Sequence, residues 1–145
     1  MITRTASARY QGFGKEGKGH ITTQSGVLSD TQYGFNTRFE SGAGTNPEEL
    51  IAAAHSSCFT MALSFALAKE GFTDGTLETN AKVTLDREGE GFRISRSELS
   101  VAATIADIDP AKFAALADDA KANCPVSKLL NAEISLAKSL NGSSV

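Results

Sequence analysis

Apolar residues crowd the stretch from Leu50 to Leu67, broken by His55, Ser56, Ser57, Thr60 and Ser64. Just before it, Thr45-Asn46-Pro47-Glu48-Glu49 reads as a helix start. Asn46 can cap, Pro47 suits the first helical position, and the two carboxylates favour the positive end of the dipole. The pattern predicts a helix over about 47–70 that stops at Gly71, a usual C-terminal residue. Leu50, Ile51, Ala52–Ala54, Phe59, Met61–Leu63 and Phe65–Leu67 cover nearly all its faces, so protein must surround it. The chain's own sheet could do so, but a partner subunit is the easier solution. Ala52–Ala54 and Ser56–Ser57 are small enough for another helix to approach closely, which favours an obligate dimer.

Elsewhere the period is two. Turn-rich alternation near the N-terminus predicts short strands at Ala6–Phe13, Lys18–Gln24 and Tyr33–Phe39. Two longer alternating runs, Thr76–Asp86 and Phe92–Ile105, flank Arg87-Glu88-Gly89-Glu90-Gly91 and read as a β-hairpin. Asp109-Pro110 opens a second helix to about Ala122, with Phe113, Leu116 and Ala120 on one stripe. A short third helix starts at Asn123-Cys124-Pro125, over about 124–130, and a last strand covers Ala132–Lys138. The tail from Asn141 to Ser144 reads as frayed. The sum is one α+β domain over 1–145, mostly antiparallel, around a long apolar helix.

Length and charge narrow the function. A chain of 145 residues fits one compact domain with a real core. A net charge of −3 leaves no basic surplus for phosphate backbones, which argues against nucleic-acid binding. The N-terminal Met1-Ile2-Thr3-Arg4-Thr5 develops no signal-like apolar run, and Leu50–Leu67 reads as too short and too polar for a bilayer. The expectation is a cytoplasmic protein with no membrane partner. Two cysteines in a reducing compartment are poor candidates for a permanent staple, so reactivity becomes the question.

Cys58 lies mid-helix among apolar neighbours, where it reads equally as a small buried hydrophobe. Burial would keep it inert unless a cation is supplied. Cys124, before Pro125, would be an N-cap, where backbone N–H groups favour a thiolate. Local physics thus makes Cys124 the better nucleophile and leaves the order of the two open.

Three segments, Tyr33–Glu40, Thr45–Phe59 and Asn123–Ser127, resemble the OsmC/Ohr family of osmotically inducible and organic hydroperoxide resistance proteins. The likeness runs from about residue 8 to 138, and the block holding Arg38 resembles the OsmC branch. It implies an intertwined homodimer with antiparallel sheets wrapped around central helices. It also implies that Cys58 is the peroxidatic cysteine, Cys124 the resolving cysteine, Arg38 the essential arginine and Glu48 its acidic partner. Glu49 is an adjacent carboxylate that competes for that last role. The implied activity is reduction of organic hydroperoxides, with recycling by an external dithiol, in the family a lipoyl-type dithiol on a larger protein. No cofactor is implied.

The residue types suit that chemistry. A thiolate expels an alkoxide from a peroxide and becomes a sulfenic acid, which a second thiol captures before overoxidation. An arginine supports both the thiolate and the leaving oxygen, and a carboxylate can fix its direction. Glu48 and Cys58 lie ten positions apart, roughly 15 Å along a helix. A single Arg could span that only at full extension, so the expectation is that Arg38 and Glu48 of one subunit serve Cys58 of the other.

His55, three positions before Cys58, reads as a packing or hydrogen-bonding residue more than as a catalytic base. His20, His55, Cys58 and Cys124 have no finger-like spacing, which argues against a metal. Gly12–Gly19 lacks the ending of a phosphate loop. Phe39 and Phe59 could line an apolar pocket or simply pack. Two competing functions remain: a non-catalytic redox sensor or apolar-ligand binder using the same cysteine pair, and a structural stress protein with inert cysteines.

Overall fold

The fold was analysed as a computed structural model that describes Met1–Val145. It comprises two compact units, Met1–Leu50 and Ile51–Val145. The N-terminal unit holds β1 (Ala6–Gln11), a 3-10 turn at Gly14–Glu16, β2 (Lys18–Thr23), β3 (Thr31–Tyr33) and α1 (Phe35–Phe39). Its three strands form an antiparallel sheet in sequence order. The helix α2 (Pro47–Lys69) begins in this unit and continues through the next. The C-terminal unit adds β4 (Thr76–Glu88), β5 (Gly91–Thr104), α3 (Pro110–Asn123), α4 (Pro125–Leu129), β6 (Glu133–Leu140) and β7 (Ser143–Ser144). The fold is mixed α+β with four helices.

The hairpin β4–β5 pairs Glu88 with Gly91, so its loop is Gly89-Glu90. Gly89 has φ 60, the left-handed conformation that a tight hairpin turn requires and glycine adopts freely. Along β5 the inward positions Ser97, Leu99, Val101 and Ala103 are all buried. Leu99, Val101 and Ala103 meet Phe59, Leu63 and Leu67 of α2 and Phe113, Ala117 and Ala120 of α3 in one core. The period of two on the strand and of roughly four on each helix therefore converge on the same interior.

Four expectations need correction. Tyr33–Phe39 is not one strand: β3 ends at Tyr33 and α1 follows. The cause is Thr37, whose Oγ1 accepts from the Gly34 N–H at 2.8 Å and donates to the Gly34 carbonyl at 2.9 Å. That closes a turn where aromatic alternation mimics a strand. The last strand runs parallel to β5, because α3 and α4 return the chain to the far end of the sheet. The tail is ordered. Asn141, at φ 51, exchanges two hydrogen bonds with the backbone of Ile105, and β7 then pairs with β6.

The fourth concerns α2. Its 23 residues include an apolar window of mean hydropathy 1.6, so by length and composition it is long enough and apolar enough to cross a bilayer. The polar interruptions matter less than their count suggests. Ser56, Ser57 and Thr60 donate to the Ala52, Ala54 and Ser56 carbonyls, so their hydroxyls are satisfied within the helix. One face, His55, Phe59, Leu63 and Leu67, is buried. Met61 and Phe65 on another face stand 62% and 71% exposed in the single chain.

Candidate active site

Two groups of side chains carry the chemistry, one in each unit. In the N-terminal unit the turn set by Thr37 makes Arg38 the penultimate residue of α1. Asn46 then ties α1 to the start of α2. Its Nδ2 donates to the Thr37 carbonyl at 3.1 Å, and its Oδ1 accepts from the Glu49 N–H at 2.8 Å. Between them the chain passes Gly44 at φ 127, where a Cβ would lie 2.3 Å from the Gln32 carbonyl oxygen. Only glycine fits there.

That framework sets Arg38 against Glu48. Nε donates to Oε1 at 3.0 Å and to Oε2 at 3.3 Å, and Nη2 donates to Oε1 at 2.8 Å. Side-on pairing of this kind uses one edge of the guanidinium and leaves Nη1 and the outer hydrogen of Nη2 to other acceptors. Glu49 does not compete. Its Oε2 accepts from the Thr45 hydroxyl at 2.7 Å, so the two adjacent carboxylates have separate partners. Phe39 leans on Phe35, with ring centroids 5.0 Å apart, and Arg38 lies over the Phe39 ring. Phe59, by contrast, is a fully buried core residue of the other unit.

In the C-terminal unit Cys58 of α2 and Cys124 at the head of α4 are free thiols close enough to influence each other's ionisation. They differ in access and in charge preference. Cys58 is half-buried, whereas Cys124 is 1% exposed. Burial, the largest influence, pushes the Cys58 thiol above its ordinary value; the Val126 N–H pulls it partly back, and Cys124 pushes it further up. Burial also opposes ionisation of Cys124, but four donors outweigh it. They are the Ser127 hydroxyl, the Ser127 N–H, the Cys58 thiol and the Val126 N–H, and Cys124 ends below its ordinary value. Both Ser127 donors lie 3.4 Å from Sγ. Within this unit no cationic side chain contributes to either thiol's ionisation.

Behind the pair sits a group that spacing gave no means of finding. His55, fully buried, contacts the Ser97 hydroxyl through Nδ1 at 2.7 Å and the Ser127 hydroxyl through Nε2 at 2.8 Å. Burial lowers its pKa, so the ring is neutral. Ser97 comes from β5 and Ser127 from α4, 42 and 72 positions away in sequence. The local signal was His55 three positions before Cys58 on α2, which points to a packing or hydrogen-bonding role but names no partner.

Known proteins share this chain's sequence and fold. The family model for OsmC-like protein matches residues 40–137. The peroxiredoxin OsmC of Escherichia coli K12 is 48% identical over 135 residues, covering 93% of this chain and 94% of that one. The organic hydroperoxide resistance protein OhrB of Bacillus subtilis is 32% identical over 76% of this chain and 79% of its own. The crystal structure of that OhrB superposes with a TM-score of 0.69 at 28% identity, covering 97% of this chain and 98% of that one. An organic hydroperoxide resistance protein from Elizabethkingia anophelis gives a TM-score of 0.71 at 28% identity with the same coverage. By the extent of the family match, the shared identity and the common fold, the chain belongs to the OsmC-like protein family.

Proposed function

We propose that this protein is a two-cysteine peroxidase that reduces organic hydroperoxides to alcohols, working as a single OsmC-like domain in a homodimer. The observation that carries the reading is the pairing of a partly buried thiol with a fully buried one whose ionisation its surroundings favour. A peroxide can reach Cys58. Cys124 is the thiol placed to close a bond once Cys58 has been oxidised, since each is near enough to shift the other's ionisation.

The first step transfers the terminal peroxide oxygen to the Cys58 thiolate. The O–O bond breaks, sulfur is oxidised to a sulfenic acid, and the alkoxide takes a proton to leave as an alcohol. Cys124 then attacks the Cys58 sulfur as a thiolate. The S–S bond forms, and hydroxide leaves and is protonated to water. An external dithiol, by family likeness a lipoyl-type group on a larger protein, reduces the disulfide by two successive exchanges. This cycle suits a reducing compartment such as the cytoplasm.

The first step needs a cation, since burial alone disfavours the Cys58 thiolate. Arg38, aimed by Glu48, has donors to spare for thiolate and leaving oxygen. In this reading Arg38 and Glu48 of one subunit complete the site around Cys58 of its partner. Support for the dimer comes from Met61 and Phe65, which extend the face of Cys58 along α2 at helical spacing and are largely exposed in the single chain.

Peroxide consumption with tert-butyl hydroperoxide and a dithiol tests the assignment. Cys58→Ser should abolish the first turnover, and Cys124→Ser should permit one turnover and stall as the sulfenic acid. Arg38→Ala and Glu48→Ala should slow the first step. Turnover by the Cys58→Ser chain would refute the scheme, and absence of turnover in the wild type would leave a redox sensor or apolar-ligand binder with the same cysteine pair. Mixing Arg38→Ala with Cys58→Ser chains should restore activity if sites are shared between subunits.

A further inference from the structure

His55, Ser97 and Ser127 form a buried chain that ends on Cys124, and no step described so far uses it. We propose that Ser127, oriented by His55, is a positioning residue for the resolving step: its hydroxyl proton is held on Cys124 Sγ, so that this sulfur attacks as a thiolate. The inference rests on the peroxidase reading and adds what sets the rate of disulfide closure.

Hydrogen counting fixes the direction of the chain. An ionised Cys124 can only accept, and it accepts from both the N–H and the hydroxyl of Ser127. A hydroxyl has one hydrogen, so Ser127 Oγ must accept from His55 Nε2 at 2.8 Å. The neutral ring then carries its hydrogen on Nε2, and Nδ1 accepts from the Ser97 hydroxyl at 2.7 Å. Every donor points the same way, from β5 through α2 to α4. Were the ring reversed, with its hydrogen on Nδ1, Nε2 would draw the Ser127 proton away from the sulfur. All four groups are buried, so water offers no substitute. The titratable groups facing Cys124 are Cys58 and, through Ser127, His55, both from α2. α3 contributes only the Ala120 carbonyl, which takes the Cys124 N–H, and β5 reaches it only through Ser97.

The balance of the step is unchanged by this assignment. The Cys124 thiol loses its proton to solvent before attack, the S–S bond forms as the Cys58 S–OH bond breaks, and the departing hydroxide takes one proton. Ser127 and His55 neither gain nor lose a proton over the cycle; they set how much thiolate is present.

The test uses reduced full-length protein and one molar equivalent of tert-butyl hydroperoxide, with sulfenic acid trapped by a dimedone-type reagent and the disulfide read by mass spectrometry. In Ser127→Ala, disulfide formation at neutral pH should slow about tenfold or more, and sulfenic acid should accumulate. In a Cys58→Ser background, the ultraviolet titration of the Cys124 thiolate should move up by roughly one to two pH units on adding Ser127→Ala, the worth of one hydrogen bond to a charged acceptor. Ser127→Thr keeps the hydroxyl and should restore both, which a packing role alone would not produce. His55→Leu should shift the titration in the same direction by a smaller amount. An unshifted titration with wild-type closure in Ser127→Ala overturns the inference while leaving the peroxidase intact. A Cys124→Ser chain that turns over without stalling overturns the peroxidase scheme and this inference with it.

Discussion

Phe65→Glu should split the proposed dimer and silence peroxide reduction together. Phe65 is 71% exposed in the single chain, so of the roughly 200 Å² of a phenylalanine about 140 Å² is left for a partner to cover. At about 25 cal/mol per Å² that is ~3.5 kcal/mol per copy, or ~7 kcal/mol for a symmetric pair, equivalent to some five orders of magnitude in Kd. A carboxylate in the same place forfeits this and adds a desolvation penalty. The fold of each chain should survive, since Phe65 is not part of the buried core. Sedimentation velocity at micromolar concentration should show the wild type at twice the 15.2 kDa chain mass and Phe65→Glu at the single mass, with unchanged circular dichroism. Peroxide consumption should fall in parallel, because Cys58 would lose the partner's Arg38. A variant that sediments as a monomer yet keeps full activity would refute the shared site. A monomeric wild type would refute the dimer as well.

Other expectations follow from individual contacts. Glu48→Gln should lower kcat/KM for tert-butyl hydroperoxide about ten- to a hundredfold while Glu49→Gln changes it little, because Arg38 bonds only the former carboxylate. His55 has a folded-state pKa below its ordinary 6.5, so its contribution to stability is present above that value and is lost as pH falls through it. Denaturant melts should show stability falling by up to about 1.4 kcal/mol per pH unit below pH ~6.5 from this group, a slope that His55→Leu removes. Asn141→Ala deletes both side-chain bonds to Ile105 and should cost about 2 kcal/mol, roughly 6 °C in Tm by calorimetry.

Local chemistry and alternation made much of the fold readable from sequence. Asn46 caps α2 through the Glu49 N–H, Asp109 caps α3 through the Lys112 N–H, and the long β4–β5 alternation bends at a glycine of positive φ. What failed depended on single side chains acting across gaps. Tyr33, Phe35 and Phe39 alternate like a strand, and only the Thr37 hydroxyl turns that stretch into a helix. A period of two is the same in parallel and antiparallel pairs, so the direction of β6 was hidden. The tail reads as free in sequence because its anchor, Asn141, meets Ile105 from 36 positions away.

The candidate site divided the same way. Helix position and proline spacing described each cysteine's surroundings but could not say which a peroxide would meet. That depends on Cys58 being only partly buried and Cys124 covered. The Arg38–Glu48 pair could be named only through family likeness, since ten residues separate its members and an equivalent carboxylate lies next door. Ser97 carried no signal and Ser127 only its place in a family-like segment, because only the folded chain brings both to one imidazole.

The most direct test of the account is to identify the first sulfur oxidised. Reduced wild-type protein and the Cys124→Ser chain should each receive one molar equivalent of tert-butyl hydroperoxide, followed by a sulfenic-acid trap and peptide mass spectrometry. The account predicts a trapped adduct on Cys58 in the variant, and a Cys58–Cys124 disulfide with no adduct in the wild type. An adduct on Cys124 in a Cys58→Ser chain, formed as fast as the wild type consumes peroxide, would contradict it.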